Sequence, residues 1–187
     1  ILEEIIRVNW YLEETGTKHS DGSLAKVTNI IFMGMGEPLN NLEQVHRVCC
    51  TLHHQKLFNL GRKRMTISTS GVVPKIKELV DRNTPCCLAV SLNSTNDERR
   101  SAVMPVNKVW NIAKLLEATD EYTKRTGNYV TFEFVLMKGI TCSEEAAREL
   151  IRICAPRRCK VNAIVLNDGD DPTLEAPSLE EINHFLE

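Results

Sequence analysis

The sequence predicts an α/β fold with a parallel sheet and its helices outside, and three observations carry that expectation. Apolar runs rich in Val, Ile and Leu alternate with helical periodicities along the whole chain. Each run is too short to be a helix and is flanked by turn formers, as buried strands are. The runs also end in glycine or small polar residues: Gly34-Met35-Gly36-Glu37, Ser68-Thr69-Ser70-Gly71, Ser91-Leu92-Asn93 and Asn167. Parallel αβ arrays gather their ligands at the carboxyl ends of the strands, so four polar sets after four strands predict a pocket on one rim.

Taken in order, Ile1, Leu2, Ile5, Val8 and Leu12 recur at helical spacing with charges between them, giving an amphipathic helix to about Glu14. That helix has no start signal, so the sequence is expected to open inside a domain. Gly16 to Ser23 reads as a loop, and Val27–Met33 as the first strand. Asn40 and Asn41 are candidate caps for a helix with Leu42, Val45, Cys49 and Leu52 inward, ending near Gln55. Met65–Ser70 is the second strand. Pro74 fits the first turn of a short helix whose buried side is Ile76, Leu79 and Val80. Cys86–Leu92 is the third strand. Thr95-x-x-Glu98 reads as a capping box for a brief helix broken at Met104-Pro105. Ile112, Leu115, Leu116 and Thr119 carry the next helix, and Tyr129–Met137 the fourth strand, closed by Gly139. Ala146, Ala147, Leu150, Ile151 and Cys154 line a helix that stops before Pro156. Lys160–Leu166 is the fifth strand, followed by an acidic loop from Asp168 to Asp171. Ser178-x-x-Glu181 caps a last helix with Leu179, Ile182, Phe185 and Leu186 inward.

Composition narrows the function. At 187 residues, 42% hydrophobic and 26% charged, the chain has the balance of one soluble globular domain. A net charge of -2 gives no global basic footprint, so any nucleic acid would meet local clusters. Arg62-Lys63-Arg64, Arg99-Arg100 and Arg157-Arg158 with Lys160 are the candidates, against a plain reading as solvated helix and loop ends. No apolar run approaches the ~20 residues of a membrane span. Seven cysteines, an odd number with two adjacent pairs, make neither a disulfide framework nor a C-x-x-C or C-x-x-x-C loop. They read as free thiols used in packing. No residue of the chain is assigned as catalytic or as a metal ligand.

The stretch Ile30 to Leu39 is the chemically richest. Glycine lets the backbone take positive φ or lie flat against a ligand. The Glu37 carboxylate, just past a strand end, is placed to accept from a ligand ammonium, with a solvated glutamate in a turn as the alternative. A phosphate site is disfavoured, because Glu37 repels an anion at the glycine turn.

These blocks also resemble a known family. FMGMGEPLNN, RKRMTISTSGVVPKI, LAVSLNSTNDERRSAVMPVNK, VTFEFVLMKGI and CKVNAIVLN, in that order, are similar to the radical SAM methyltransferases that modify carbon 2 of adenine in ribosomal RNA. The resemblance covers almost the whole chain and implies one domain over residues 1–187, an incomplete (β/α) barrel of the TIM type. It implies S-adenosyl-L-methionine and a [4Fe-4S] cluster as cofactors. Gly36 and Glu37 match the pair that binds the methionyl ammonium, Ser68 a cofactor-contacting serine, and Ser91, Leu92 and Asn93 a Ser-Leu-His contact segment. Asn167 matches an asparagine near the adenine.

The sequence departs from the family pattern in places. Asn93 stands where a histidine is usual, and Val165-Leu166 where a proline and an aromatic are commoner, which makes Asn162 the fallback for Asn167. The family's C-x-x-x-C-x-x-C loop is expected before Ile1, its methyl-carrying cysteine beyond Glu187, and the acidic residue that handles the adenine proton in an amino-terminal region. The fragment alone is therefore expected to be inactive. The resemblance further implies ribosomal RNA and transfer RNA as partners, an electron donor such as flavodoxin or ferredoxin, a monomer, and a cytoplasmic or organellar (plastid or mitochondrial) location. The alternatives are a radical methylase of a different adenine carbon, and a non-catalytic remnant that binds S-adenosylmethionine or RNA.

Overall fold

In the computed structural model, which describes residues 1–167, 169 and 174–187, five parallel strands lie side by side in the order they occur in the chain. They are β1 (Ile30–Phe32), β2 (Met65–Thr69), β3 (Cys87–Ser91), β4 (Val130–Leu136) and β5 (Cys159–Val165). Between and around them run α1 (Leu2–Glu14), α2 (Leu42–His53), α3 (Val73–Asp81), α4 (Asp97–Val103), α5 (Ile112–Thr126), α6 (Glu144–Cys154) and α7 (Leu179–Leu186). Short 3-10 turns at Pro38–Asn41, Arg62–Arg64 and Pro105–Lys108 complete the described elements.

Strictly sequential order matters for function. Crossovers between parallel strands are right-handed. A sheet that always steps the same way therefore puts its connecting helices on one face and never reverses to make a crevice between two halves. This is the winding of a (β/α) barrel with edges at β1 and β5, as the sequence led us to expect.

The register shows how the two faces divide. Ile31 pairs with Thr66, Ser68 with Ala89, Ser91 with Glu133, and Glu133 with Asn162. Successive strand side chains alternate faces. One face thus carries Thr66, Ser68, Ala89, Ser91, Thr131, Glu133 and Asn162, small or polar throughout. The other carries Met65, Ile67, Leu88, Val90, Val130, Phe132, Phe134 and Leu136, all buried. Burying one such large apolar side chain contributes about 1.5–3 kcal/mol, so this face holds the helices on. The α2 stripe Leu42, Val45, Cys49 and Leu52, the α3 stripe Ile76, Leu79 and Val80, and the α5 stripe Ile112, Leu115, Leu116 and Thr119 are all buried, as their spacing predicts. On β4, Phe134 stacks on Phe185 of α7 with ring centroids 6.1 Å apart.

Several local expectations are corrected. The strands are shorter than the apolar runs, most of all β1, which keeps Ile30–Phe32 of the expected Val27–Met33. Neither Asn40 nor Asn41 caps by its side chain; Glu37 caps the Pro38–Asn41 turn by accepting from the Leu39 amide at 3.0 Å. Thr95 is not the cap of α4. Asn96 is, accepting from the Glu98 and Arg99 amides, because the Thr95 hydroxyl donates to Glu149 across to α6. The capping box at Ser178 and Glu181 forms as expected. Val8 in α1, Ile151 in α6, and Leu179 and Leu186 in α7 are exposed rather than inward, because these helices have fewer elements to cover them than their apolar stripes allow. The expected acidic loop falls on Asp168, Asp170 and Asp171, outside the described residues.

Candidate functional site

A cavity of about 330 Å³ opens at the carboxyl ends of β1 to β4 on the polar face. The segment after β1 supplies Gly34, Gly36 and Glu37, β2 supplies Ser68 with Ser70 just beyond it, β3 supplies Ser91 and β4 supplies Glu133. The volume is in the range of small-molecule sites.

The glycines are there for backbone shape. Gly34 has φ 139° and Gly36 φ 95°, a region L side chains rarely adopt, while a Cβ at either would meet nothing within 4 Å. The open space beside them is cavity, so the peptide groups lie bare to whatever fills it. Gly71 differs: a Cβ there would stand 3.0 Å from Leu115 Cδ1, and close packing excludes it.

Glu37 is more committed than its sequence suggests. Its Oε2 accepts from both the amide and the hydroxyl of Ser70 at 2.8 Å, and its Oε1 accepts from the Leu39 amide. Charge-assisted bonds of this kind are the strong ones, so the carboxylate ties the end of β1 to the end of β2. Three of its roughly four lone-pair positions are filled by the protein.

Sequence reasoning missed the residue beneath this rim and misread it as a basic surface cluster. Arg99 is exposed, but Arg100 is completely buried. Its guanidinium donates to the carbonyls of Ser70 (2.8 Å), Ser91 (2.9 Å) and Leu92 (2.9 Å), and to Asn107 Oδ1 (2.9 Å). Asn107 in turn donates to Asp97 Oδ1, which also caps the Ile112 amide. Arg100 therefore clamps the ends of β2 and β3 in their relative positions. Burial lowers its pKa to about 10, with Asp97 opposing that shift, and it remains a cation at neutral pH.

Of the seven residues expected to contact a cofactor, Gly36, Glu37, Ser68 and Ser91 line the cavity. Leu92 does not; its side chain is fully buried, and it takes part through its amide, which donates to the Glu133 carbonyl at 2.9 Å. Asn93 also lies off the lining. It takes a left-handed φ of 54°, donates to Met104 Sδ at 3.4 Å and leaves its buried Oδ1 without a partner. Asn167 is exposed past β5 and is not brought to the cavity, whereas Asn162 is in register beside Glu133.

Glu133 is the second residue that sequence reasoning missed. It is 8% exposed, lines the cavity and accepts from the Ser68 hydroxyl at 3.2 Å. A single charged residue inside the run Val130-Thr-Phe-Glu-Phe-Val-Leu136 was the available signal. Among the described residues no three His, Cys, Asp or Glu side chains stand close enough to hold a metal ion. Cys49, Cys86 and Cys142 are buried and Cys50 is exposed. Burial pushes the Cys49 and Cys154 thiols up to about 12 and raises Cys86 further, which suits packing rather than nucleophilic use.

Residues 22–152 match the family described as the Radical SAM superfamily. The chain is 44% identical over 160 residues to the dual-specificity RNA methyltransferase RlmN of Bdellovibrio bacteriovorus, covering 86% of this chain and 40% of that protein. It is 39% identical over 184 residues to RlmN of a Marinomonas species, covering 97% and 49%. The chain thus spans less than half the length of these curated relatives. A crystal structure of a radical SAM methyltransferase from Sphaerobacter thermophilus superposes with TM-score 0.86 at 38% identity, over 98% of this chain and 51% of that one. A domain of pyruvate-formate lyase-activating enzyme from Bacteroides vulgatus, 15% identical with TM-score 0.62 over 84% of this chain and 90% of that one, shares the fold.

Proposed function

Because this chain belongs to the radical SAM superfamily, we propose that it is the cofactor-holding core of an S-adenosylmethionine-dependent radical RNA methyltransferase. The full-length protein methylates carbon 2 of an adenine in 23S-type ribosomal RNA, and of an adenine in transfer RNA. One observation carries the reading: Gly34, Gly36, Ser68 and Ser91 converge from three strand ends on one cavity whose rim is braced by Glu37 and Arg100. The RNA methyltransferase names of the relatives support the substrate class.

In this reading the bare carbonyls at Gly34 and Gly36 accept from the methionyl ammonium of S-adenosylmethionine. Glu37 acts at one remove, holding the glycine turn against Ser70 and adding negative potential near the cation. Ser68 and Ser91 offer hydroxyls to the ligand. The iron–sulfur cluster, ligated outside the described residues, supplies one-electron chemistry when bound. The contribution of this chain is to orient the cofactor and to keep water from it. An electron donor such as flavodoxin or ferredoxin, a monomeric state and a cytoplasmic location belong to the same reading. Among the described residues no helix is long and apolar enough to cross a membrane.

The test uses the full-length protein, purified without oxygen and analysed for iron, sulfide and cluster absorbance. It is then incubated with S-adenosylmethionine, reductant and ribosomal or transfer RNA, and the RNA is digested for mass spectrometry. A bound cluster and 2-methyladenine are expected. A methyl at another carbon would move the assignment to a different radical methylase, and a protein that never binds a cluster would leave only a binding module.

A further inference from the structure

We infer that Glu133 is the acceptor for the vicinal ribose hydroxyls of the nucleoside part of the ligand, an inference that rests on the S-adenosylmethionine reading of the cavity. Glu133 stands on β4, is only 8% exposed and faces the cavity. Its Oε2 takes the Ser68 hydroxyl proton. Its Oε1 takes no hydrogen bond from the described residues and is not sealed within the protein, so it opens on the cavity. Among the described residues no Lys or Arg pairs with this carboxylate; Lys160, the basic residue nearest in register, lies over the Tyr129 ring. A buried carboxylate left with an open oxygen is stabilised by donors from whatever enters.

The chemistry of the neighbours selects the donor. With its proton given to Glu133, Ser68 presents lone pairs, so the two side chains form an acceptor surface. Such a surface matches hydroxyls or an ammonium and rejects carboxylate and phosphate. The ammonium is taken up at the glycine turn after β1. β4 lies three strand spacings away, about 14 Å along the sheet. The far end of a ligand anchored at β1 therefore falls at β3 and β4, where Ser91 and Glu133 sit in register on adjacent strands. Oε1 and the open lone pair of Oε2 accept two neighbouring hydroxyls side by side.

The experiment titrates the full-length protein calorimetrically with S-adenosylmethionine, with 5′-methylthioadenosine, which lacks the ammonium and carboxylate, and with its 2′,3′-dideoxy counterpart. The parent is expected to prefer the diol over the dideoxy compound by about tenfold or more, the range for a charge-assisted bond. Glu133→Gln should abolish that preference and weaken S-adenosylmethionine and methylthioadenosine by the same factor. A Glu133→Gln protein that keeps the diol preference overturns the inference and leaves the cavity reading standing. Loss confined to S-adenosylmethionine makes Glu133 an ammonium partner and also overturns it. A parent that binds none of the three removes the cavity reading and the inference together. The preference is a ratio, insensitive to the folded fraction. Ser68→Ala, which frees the carboxylate to turn, should lower it severalfold, and an unchanged ratio in that variant overturns the inference as well.

Discussion

Replacing Arg100 with methionine tests the architecture of the rim directly. The side chain is completely buried and donates to three carbonyls, those of Ser70, Ser91 and Leu92, and to the Asn107 amide oxygen. Methionine fills much of the same volume but leaves those four acceptors without their donor. A buried polar group stripped of its partner costs about 1–3 kcal/mol. Removing the charge recovers part of this, because burial of the guanidinium is itself unfavourable, as its pKa lowered to about 10 records. The net loss expected is about 3–5 kcal/mol, the usual consequence of deleting one member of a buried ionic network. That is a large share of the ~5–15 kcal/mol that holds a domain together. Arg100→Lys should lose roughly half as much, since an ammonium has three donors and no planar fork. Both variants are measured by urea unfolding of the full-length protein, comparing midpoints at equal slope. Affinity for S-adenosylmethionine should fall in both, because Ser70 and Ser91 are the carbonyls being held. The guanidinium is charged in both folded and unfolded states below about pH 9, so these losses should not change between pH 6 and 8. A methionine variant within about 1 kcal/mol of the parent, or a lysine variant indistinguishable from it, would refute the clamp.

Two further outcomes follow from the same contacts. If Glu37 is a brace, then Glu37→Ala and Ser70→Ala should both weaken S-adenosylmethionine, the second by less because the amide bond of Ser70 remains; an unaffected Ser70→Ala would point to direct contact between Glu37 and the ligand. The Cys49 thiol, raised by burial from 9.0 to about 12, keeps its proton in the folded state where the unfolded chain has lost it. Its stabilisation is complete below pH 9 and is lost as pH rises toward 12, at about 1.4 kcal/mol per unit within that window. Unfolding midpoints from pH 7 to 10.5 should bend downward above 9 and bend less in Cys49→Ala; an identical bend in the variant would sink the assignment.

What can be read from the chain divides along a physical line. Periodicity is local, so the strand–helix alternation, the buried stripes of α2, α3 and α5, and the Ser178 capping box are all legible in the order of residues alone. Helices that lack a full covering layer are not: Val8, Leu179 and Leu186 sit on well-formed stripes yet face outward. Thr95 and Asn96 are equally good caps by sequence, and the choice falls to Asn96 because Glu149, more than fifty positions away, takes the Thr95 hydroxyl.

The site divides the same way. By itself the sequence determined that Gly34 and Gly36 free the backbone after β1, and that Ser68 and Ser91 end their strands, since backbone permissiveness and strand punctuation belong to a few adjacent residues. Only the tertiary structure decided which polar groups are open to a ligand. It closed Glu37 against Ser70, drew Arg100 under the rim instead of onto the surface, left Asn167 outside the cavity and set Glu133 within it beside Ser68. A hydrogen bond is filled by whichever partner the fold brings within about 3 Å. Residue type fixes how many bonds a side chain can make, and only packing fixes with what.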